Sequence, residues 1–582
     1  MPVASCSTKL TRVLEIPEIL ELIFSFLDED SNARTATVCK KWSEISLNIL
    51  WREVTEPIHL FTLLAPLERT YQTRSTGPMF WQDQWIFSKT PGVDDWARFM
   101  RYARRVRILY LDERGKEDVI AQGVFDEMSR SRVDLSVLPN LRVLTWLTDS
   151  VDRMRLSLLF QHKSIIHFNV YLHKTEAYPL ATFFKEVLLR MPNLHYLDLR
   201  FEFPARDVED ELIELLGGLK ALERVVLPVY TLTSRIMEEL AKHEYLNTIQ
   251  FEFMESQGRG DMDDVQNWRP QLTEGAFPAL WDLSLSANLS DMTRFLTGDF
   301  APSKLTSLYV QILSAPPGEM VSEFLNALSV HCKLLSHLYL DFFTSSAILP
   351  TPDTWSRLNY EALRPLLSCS KLVSFEMRWD HVLDITQEDV EEMASKWPSL
   401  QTLLLNCEPV DSSIPPQLDL RALLPFARHC PQLTELGLYL SATDTVDVPI
   451  LDHQLKPFTS LERLCVGLSS ITDAGHTALF LSQILPLGCD ILAGVTWPDD
   501  VGVVETTANA VTLDRLQKEA AGWHEKWVEV SKMLPLLTKL RMDERAARES
   551  LQEEVEDLRI RCKILSERAN VRMDPDGGCV PF

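Results

Sequence analysis

The sequence has 582 residues, 46% of them hydrophobic and 24% charged, a balance that argues against global disorder. Its 83 acidic and 58 basic side chains give a net charge of −25. Such a surface repels phosphate backbones and anionic membranes, so we expect neither nucleic acid nor a membrane as a partner. Ten cysteines without a Cys-x-x-Cys pair, and no apolar signal segment in residues 1–12, predict a cytoplasmic or nuclear protein with reduced thiols.

The first predicted element is a helix near residue 17, followed by a polar break and a second helical run. Pro17 is tolerated in a first helical turn, and apolar residues then recur at helical spacing as far as Leu27. The break at residues 28–32 supplies capping side chains. About forty residues carry more large apolar side chains than so short a unit buries alone, which indicates a partner site. The alternative is that these helices pack on the domain that follows.

The order of residues in this segment carries a resemblance. Residues 18–27 read Glu-Ile-Leu-Glu-Leu-Ile-Phe-Ser-Phe-Leu, residues 38–42 read Val-Cys-Lys-Lys-Trp, and Leu50-Trp51 follow. This ordered set resembles the F-box from end to end over residues 14–52, except that Pro17 directly precedes Glu18 where the family has Leu-Pro-x-Glu. The resemblance implies three helices that bind the Skp adaptor, and through it the cullin, of an SCF-type ubiquitin ligase.

The resemblance also implies an adaptor-binding set. The matching positions are Pro17, Ile19, Leu20, Ile23, Phe24, Leu27, Val38, Cys39, Trp42, Leu50 and Trp51. Sequence does not separate the residues that face the partner from those that pack internally. Leu20→Asp or Phe24→Asp is accordingly expected to abolish adaptor binding and to leave the rest of the chain folded, because a charge in an apolar contact is costly.

A repeat follows in the long middle of the chain. The pattern apolar-x-x-apolar-x-apolar recurs thirteen times, about 30 residues apart on average, with amphipathic helical stretches between the copies. The copies begin at Val106, Leu141, Ile165, Leu194, Leu222, Leu246, Leu280, Leu305, Leu335, Leu372, Leu400, Leu433 and Leu461. One strand and one helix per copy is typical of leucine-rich repeats. The alternative, a doubly wound α/β sheet, is disfavoured because thirteen strands are too many and no glycine-rich phosphate loop follows any of them.

The predicted fold class is therefore α/β, with an N-terminal three-helix F-box, an irregular leucine-rich-repeat solenoid and a C-terminal helix. The predicted segments are a disordered N-terminus (1–12), the F-box (13–55), a linker or N-terminal cap (56–100), the solenoid (101–497), a linker (498–511), a C-terminal helical cap or short coiled coil (512–570) and a disordered tail (571–582). Within the solenoid, the glycine- and acid-rich residues 255–265 are expected to be disordered, and the aromatic segments 71–96 and 341–358 are expected to form packed cover.

No motif for catalysis or metal binding is found, so the chain is expected to be no enzyme and to need no cofactor or metal. A basic run at residues 101–107 is interpreted as a solvated helix face.

Side chains alternate along a strand, so residues between and after the repeat leucines should face a protein target. These candidate target-binding residues are Asp112, Tyr171, Arg200, Glu252, Gln311, Asp341, Arg378 and Tyr439. The predicted function is target recognition for an SCF-type ligase; the alternative is a Skp-binding scaffold with no role in ubiquitination.

The last predicted element is helical and has two parts. Residues 513–537 carry Trp523 and Trp527 on one apolar stripe, and we expect this part to cap the last repeat. Pro535 is expected to kink or restart the helix. Residues 541–568 have a shorter stripe interrupted by Arg548, which predicts an exposed helix that pairs weakly, with self-association as an alternative. A chain ending at residue 540 should then keep its melting temperature, and one ending at 510 should lose several degrees.

Overall fold

The computed structural model describes residues 16–73, 81–116, 118–251, 255–314, 316–342, 358–409, 415–443, 456–494 and 507–571. The chain divides into two units: Met1–Ala315 with Val330–Leu334, and Pro316–Ser329 with Leu335–Phe582. The predictions of disorder for residues 1–12 and 571–582 lie outside the described residues, except at Val571, which ends a helix. Across the described ranges, no helix has the length and apolar character that a membrane span requires.

The first unit begins with three short helices, α1 (Pro17–Phe24), α2 (Glu29–Thr35) and α3 (Lys40–Leu50). The Asp28 side chain accepts a hydrogen bond from the Ser31 backbone N–H at 2.8 Å and so caps α2. The buried Asn32 amide donates to the carbonyl oxygens of Phe24 and Leu27, which ties α2 to the end of α1. The three predicted helices are thereby confirmed.

These helices share a small core. Leu20, Phe24 and Ile45 are buried together, and Leu27, Trp42 and Ile49 pack against them at partial exposure. The Phe24 and Trp42 rings meet edge to face with centroids 5.3 Å apart, a favourable aromatic arrangement. Leu20 and Phe24 thus hold α1 on α3.

The segment that follows α3 folds rather than linking loosely. It contains the helices Pro57–Thr62 and Val93–Ala103 and the antiparallel strands Leu67–Thr73 and Trp81–Phe87. A third strand, Asp118–Ile120, pairs in parallel with the second. Trp85 donates its indole N–H to Asp118 at 3.3 Å, and Trp96 is buried. Both tryptophans therefore help to hold this small three-stranded sheet and its neighbouring helix in place.

A parallel sheet of nine strands forms the body of the first unit, and strand order follows chain order. The strands are Glu53–Val54, Ile108–Asp112, Val143–Leu147, His167–Tyr171, Tyr196–Arg200, Arg224–Val226, Thr248–Gln250, Asp282–Ala287 and Ser307–Ile312. The α-helices between them are Gln122–Ser131, Val151–Arg155, Leu180–Arg190, Glu209–Gly218, Ser234–Leu240 and Leu289–Thr297, with short 3-10 helices at Leu156–Leu159, Ala205–Asp207, Glu255–Gln257 and Met262–Asp264. A doubly wound sheet would reverse its strand order, so this arrangement is solenoid-like.

The second unit repeats the same design with six parallel strands in chain order. They are His337–Asp341, Ser374–Arg378, Thr402–Leu405, Glu435–Leu438, Arg463–Gly467 and Asp490–Ala493, and the short strands Ser441–Ala442 and Ser470–Ile471 pair separately. The helices are Gly318–His331 (in this unit up to Ser329), Tyr360–Leu363, Arg364–Ser368 (3-10), Gln387–Lys396, Leu420–Ala422 (3-10), Leu423–His429, Ala474–Ile484 and Thr507–Val571.

The thirteen predicted strands are confirmed. Each begins two residues after the first apolar residue of its copy, and that residue is at most 2% exposed in all thirteen copies. In the first unit Leu109, Leu144, Phe168, Leu197 and Val225 occupy one row of the sheet in register, and all five are fully buried. Because each strand contributes a buried residue to such a row, the core is continuous from strand to strand within each unit.

Residues 255–265, here called the strap, are folded, so the expectation of disorder for them is wrong. The strap forms isolated bridges to Phe201 and Val229 through Gly258 and Arg259. The fully buried Gln257 amide donates to Asp198 and to the Leu199 carbonyl, each at 3.1 Å. Phe201 and Val229 lie just past the strands Tyr196–Arg200 and Arg224–Val226, so the strap runs along the carboxyl ends of these strands and contacts Arg200, one of the candidate target-binding residues.

The C-terminal helix Thr507–Val571 continues through Pro535 rather than restarting there. Its first part packs on the last helix and strands of the second unit, with Trp527, Val530 and Leu534 buried. Contact extends beyond the predicted limit at residue 540, because the Arg545 guanidinium donates to the Gln483 carbonyl at 2.6 Å. Residues 549–566 are exposed throughout.

Candidate interaction surfaces

The first candidate surface is an apolar flank of α1 and the turn after it. Within α1, which advances about 100° per residue, Ile19, Leu22 and Ile23 fall in one sector beside the core-facing sector. Ile16 directly precedes the helix, and Phe26 lies in the turn after it. Phe26 is 83% exposed and Leu22 61% exposed, and Ile16 and Ile23 are exposed by about two-fifths. We call this set the apolar sector. Large apolar side chains exposed together in so small a domain are typical of a partner site.

The predicted adaptor-binding residues divide between this surface and the interior. Pro17, Ile23, Val38 and Cys39 are exposed, and Ile19 is half-buried. The remaining six, which are buried or half-buried, are Leu20, Phe24, Leu27, Trp42, Leu50 and Trp51. Leu20 and Phe24 lie in the core of the three helices, so an aspartate at either position is expected to unfold this domain and not only to change its surface.

The three helices are anchored to the sheet by a residue that sequence reasoning assigned to a solvated helix face. The Arg105 side chain is only 14% exposed and forms an ion pair with Glu44 at 2.5 Å. It also donates to the Glu44 carbonyl and to Asn48. Trp51 packs edge to face on Tyr102 with centroids 5.3 Å apart. These contacts fix the three helices on the solenoid-like body of the first unit.

The backbone adds a second anchor. The strand Glu53–Val54, which directly follows α3, pairs in parallel with Ile108 and Leu109 of the sheet. The Arg107 N–H donates to the Arg52 carbonyl at 2.8 Å. Because this pairing leaves no flexible linker between α3 and the sheet, the apolar sector has a fixed direction relative to the strands of the first unit.

Comparison with known proteins identifies this segment. The F-box-like family matches over residues 17–57. These residues form an F-box-like domain. No curated protein matches the chain. Among solved structures, the chain is similar to one described as the crystal structure of Rad7 and Elc1 complex in yeast, at 14% identity over 80% of this chain and 98% of that chain. The TM-score of 0.35 is too low for that likeness to carry an argument.

The second candidate surface comprises the predicted target-binding residues of the first unit. Asp112, Tyr171 and Arg200 are brought together through Arg114 and the strap. Arg114 pairs with Asp112 at 3.1 Å, lies 5.3 Å from the Tyr171 ring centroid, and donates to the Ser256 carbonyl at 2.7 Å. Arg200 donates to the Ser256 hydroxyl at 3.2 Å. Arg114 and Arg200 thus hold the strap, and Asp112 and Tyr171 contact Arg114.

The other predicted target-binding residues do not join that group. Gln311 is buried and accepts a hydrogen bond from Ser286 at 2.8 Å. In the second unit, Asp341 is buried and is the register partner of the exposed Arg378, while Tyr439 is half-buried. Glu252 lies outside the described residues. Binding of a target by these residues stays a prediction.

The three histidines at positions 162, 167 and 173 contact neighbours of their own. His162 contacts the Leu138 carbonyl at 2.9 Å and His173 the Thr148 carbonyl at 2.5 Å. His167 packs on Tyr196, and burial together with the charge of Arg224 lowers the pKa of His167 to about 4. Within the part of the chain that the structure describes, no group of three or more possible ligand side chains is placed to hold a metal ion.

A substitution in the strap tests how the strap is attached to the first unit. Gly258 has φ of +82°, and a Cβ there would lie 2.1 Å from the Phe201 carbonyl oxygen. We expect Gly258→Ala to detach the strap and to lower the free energy of unfolding by roughly 2–3 kcal/mol. Gly275→Ala is the matched control, because Gly275 has φ of +83° and open space around its Cα. Faster proteolysis within residues 255–265 in the first variant alone is the expected result; equal proteolysis would contradict it.

The second unit gives a test that depends on pH. Burial raises the pKa of Glu376 from its ordinary 4.5 to about 7. The folded state therefore keeps a proton that the unfolded state releases, so stability falls as pH rises between these values. Glu376→Gln should stabilise the unit above about pH 7, by on the order of 1 kcal/mol, and have little effect near pH 4. Denaturant unfolding at both pH values measures this, with the exposed Glu462→Gln as control; a gain independent of pH would contradict it.

Proposed function

We propose that this protein is a substrate-recognition subunit of an SCF-type cullin–RING ubiquitin ligase. Its F-box-like domain binds a Skp-type adaptor, and its strand-and-helix body, which we interpret as irregular leucine-rich repeats, binds a protein target. The observation that carries the proposal is the apolar sector of the F-box-like domain. Five large apolar side chains lie there on one flank of a domain whose own core is already filled.

The anchoring of the domain supports the same proposal. A receptor of this kind carries no chemistry; it raises the local concentration of the target near the ligase. A fixed direction between the two binding surfaces favours that role, because a rigid connection holds the target within reach of the ligase. Arg105, Trp51 and the strand Glu53–Val54 supply that rigidity within the first unit.

For the target we propose the strand face and the strap of the first unit, and the strand face of the second unit. Tyrosine and arginine are enriched among residues that dominate protein interfaces. Arg200 contacts the strap and Tyr171 packs on Arg114, which also contacts it. In the second unit, Arg378 ends one strand and Tyr439 directly follows another. Arg378→Gln tests the second face, since Arg378 is exposed and glutamine adds no negative charge beside its register partner Asp341 or near Glu376.

Affinity purification tests the function. The intact chain should co-purify a Skp-type adaptor, a cullin and one or more further proteins. A variant whose apolar sector carries polar substitutions should lose the adaptor and the cullin and keep the further proteins. Stabilisation of a retained protein in cells that express the variant would identify it as a target. Recovery of the adaptor without any cullin would instead identify a Skp-binding scaffold, and recovery of neither would overturn the proposal.

A further inference from the structure

The exposed end of the C-terminal helix carries an apolar stripe that no described residue of its own unit covers. Leu551, Val555, Leu558, Cys562 and Leu565 recur at alternating spacings of four and three residues. All five are exposed, the four aliphatic side chains by 47% to 63%. Alternation of this kind keeps the residues on one seam of a helix that supercoils with another helix.

The stripe has a defined beginning. The next two positions of the seam towards the N-terminus are Arg548 and Glu544, which pair with each other within the helix at 3.8 Å. Arg545, on the same turn, is bonded to the Gln483 carbonyl of the second unit. The helix thus changes near residue 548 from a part that packs on its own unit to a part that presents its seam to solvent.

We propose that this seam pairs in parallel with the same seam of a second copy of the chain, forming a two-stranded coiled coil from residue 551 onward. In the heptad nomenclature Leu551, Leu558 and Leu565 occupy d positions, and Val555 and Cys562 occupy a positions. Leucine at d with a β-branched residue at a favours parallel two-stranded pairing. The proposal concerns assembly and holds whether or not the F-box-like domain binds an adaptor.

The charged residues beside the seam favour a second copy of this chain as its partner. In a parallel pair, each g position faces the e position five residues further along the other helix. Glu554 at g would then face Arg559 at e of the second copy, and symmetry forms this ion pair twice. Arg561 at g would face the uncharged Ser566, so the described residues bring no like charges together across the pair. In the single chain Arg559 contacts the exposed Glu556 at 3.6 Å, a contact that is easily exchanged.

Cys562 reports the orientation and register of the pair. At an a position of a parallel, in-register coiled coil it faces its own copy across the seam, within reach of a disulfide. Diamide takes up two electrons and two protons from the two thiols as the S–S bond forms. In full-length protein whose Cys6, Cys39 and Cys579 are replaced by serine, we expect diamide to give a covalent dimer, and Cys562→Ser to abolish it.

Sedimentation equilibrium of the full-length chain measures the pairing without oxidant. Leu558→Glu places a charge in the seam and should raise the dissociation constant of the dimer at least about tenfold. Ile560→Glu is the matched control: Ile560 is equally exposed but occupies the outer f position, so its replacement should leave the dimer intact.

Exchanging the charges of Glu554 and Arg559 gives a third test of the pairing. Glu554→Arg alone should weaken the dimer, and Glu554→Arg combined with Arg559→Glu should restore it. A chain that remains monomeric and uncrosslinked at every concentration would overturn the proposal. So would a dimer that Ile560→Glu breaks and Leu558→Glu does not. A dimer that forms no Cys562 disulfide would overturn the parallel, in-register arrangement.

Discussion

Replacement of Leu22 and Phe26 by glutamate is expected to abolish binding of a Skp-type adaptor while the chain keeps its melting temperature. Both side chains are largely exposed in the free chain, so the substitution leaves the core of Leu20, Phe24 and Ile45 untouched. In the complex each would be buried against an apolar partner, and an unpaired carboxylate there costs several kcal/mol. A loss of affinity of about a hundredfold or more is therefore expected, which pull-down or calorimetry with purified adaptor measures.

A control on the same helix separates charge from position. Glu21 is exposed on the side of α1 away from the apolar sector, and Glu21→Lys should bind the adaptor normally. Leu20→Asp provides the contrasting case, because it should lower both adaptor binding and the stability of the domain. Retained binding by the Leu22 and Phe26 variant at unchanged stability would place the adaptor on another face.

The strand positions could be predicted from sequence because their signal is local and repeated. Leucines such as Leu194, Leu197 and Leu199 must enter the core together, so the spacing itself contains the information. The predicted adaptor-binding set included two residues of the apolar sector, Ile19 and Ile23, but not Leu22 or Phe26. Leu22 and Phe26 lie four residues apart and off the stripe of Leu20 and Phe24, so their spacing was a usable signal.

Other features depend on contacts that no local pattern reveals. Residues 255–265 are polar and glycine-rich, which resembles a flexible loop, yet Gln257 and Ser256 bond with strand residues more than fifty positions earlier in the chain. Arg105 belongs to a basic run whose composition predicts a solvated face, and only the approach of Glu44 in the folded chain makes it an anchor. In both cases tertiary partners outweigh composition.

Trp527→Ala is expected to cause the largest loss of stability of the single changes considered for the second unit. The indole is 1% exposed, and its N–H donates to the Ser469 carbonyl at 2.9 Å. Removal of the ring leaves a cavity between the C-terminal helix and the strands it covers, which costs roughly 3–5 kcal/mol. The buried Ser469 carbonyl also loses its donor, which adds to that cost. Thermal unfolding should move down by several degrees; Trp523→Ala, at a half-buried position on the same helix, should have a smaller effect.

Truncated chains also test the contact between the C-terminal helix and the rest of the second unit. They show how far along the helix this contact extends. A chain ending at residue 510 lacks Trp527, Val530 and Leu534 and should lose at least as much stability as Trp527→Ala. A chain ending at residue 540 should lose a little, because the Arg545 bond to Gln483 goes with it. A chain ending at residue 549 keeps every described contact with the second unit and should melt like the intact protein at concentrations where the chain is monomeric. Equal melting of the chains ending at 510 and 549 would contradict the assignment of the first half of the helix as the cap of this unit.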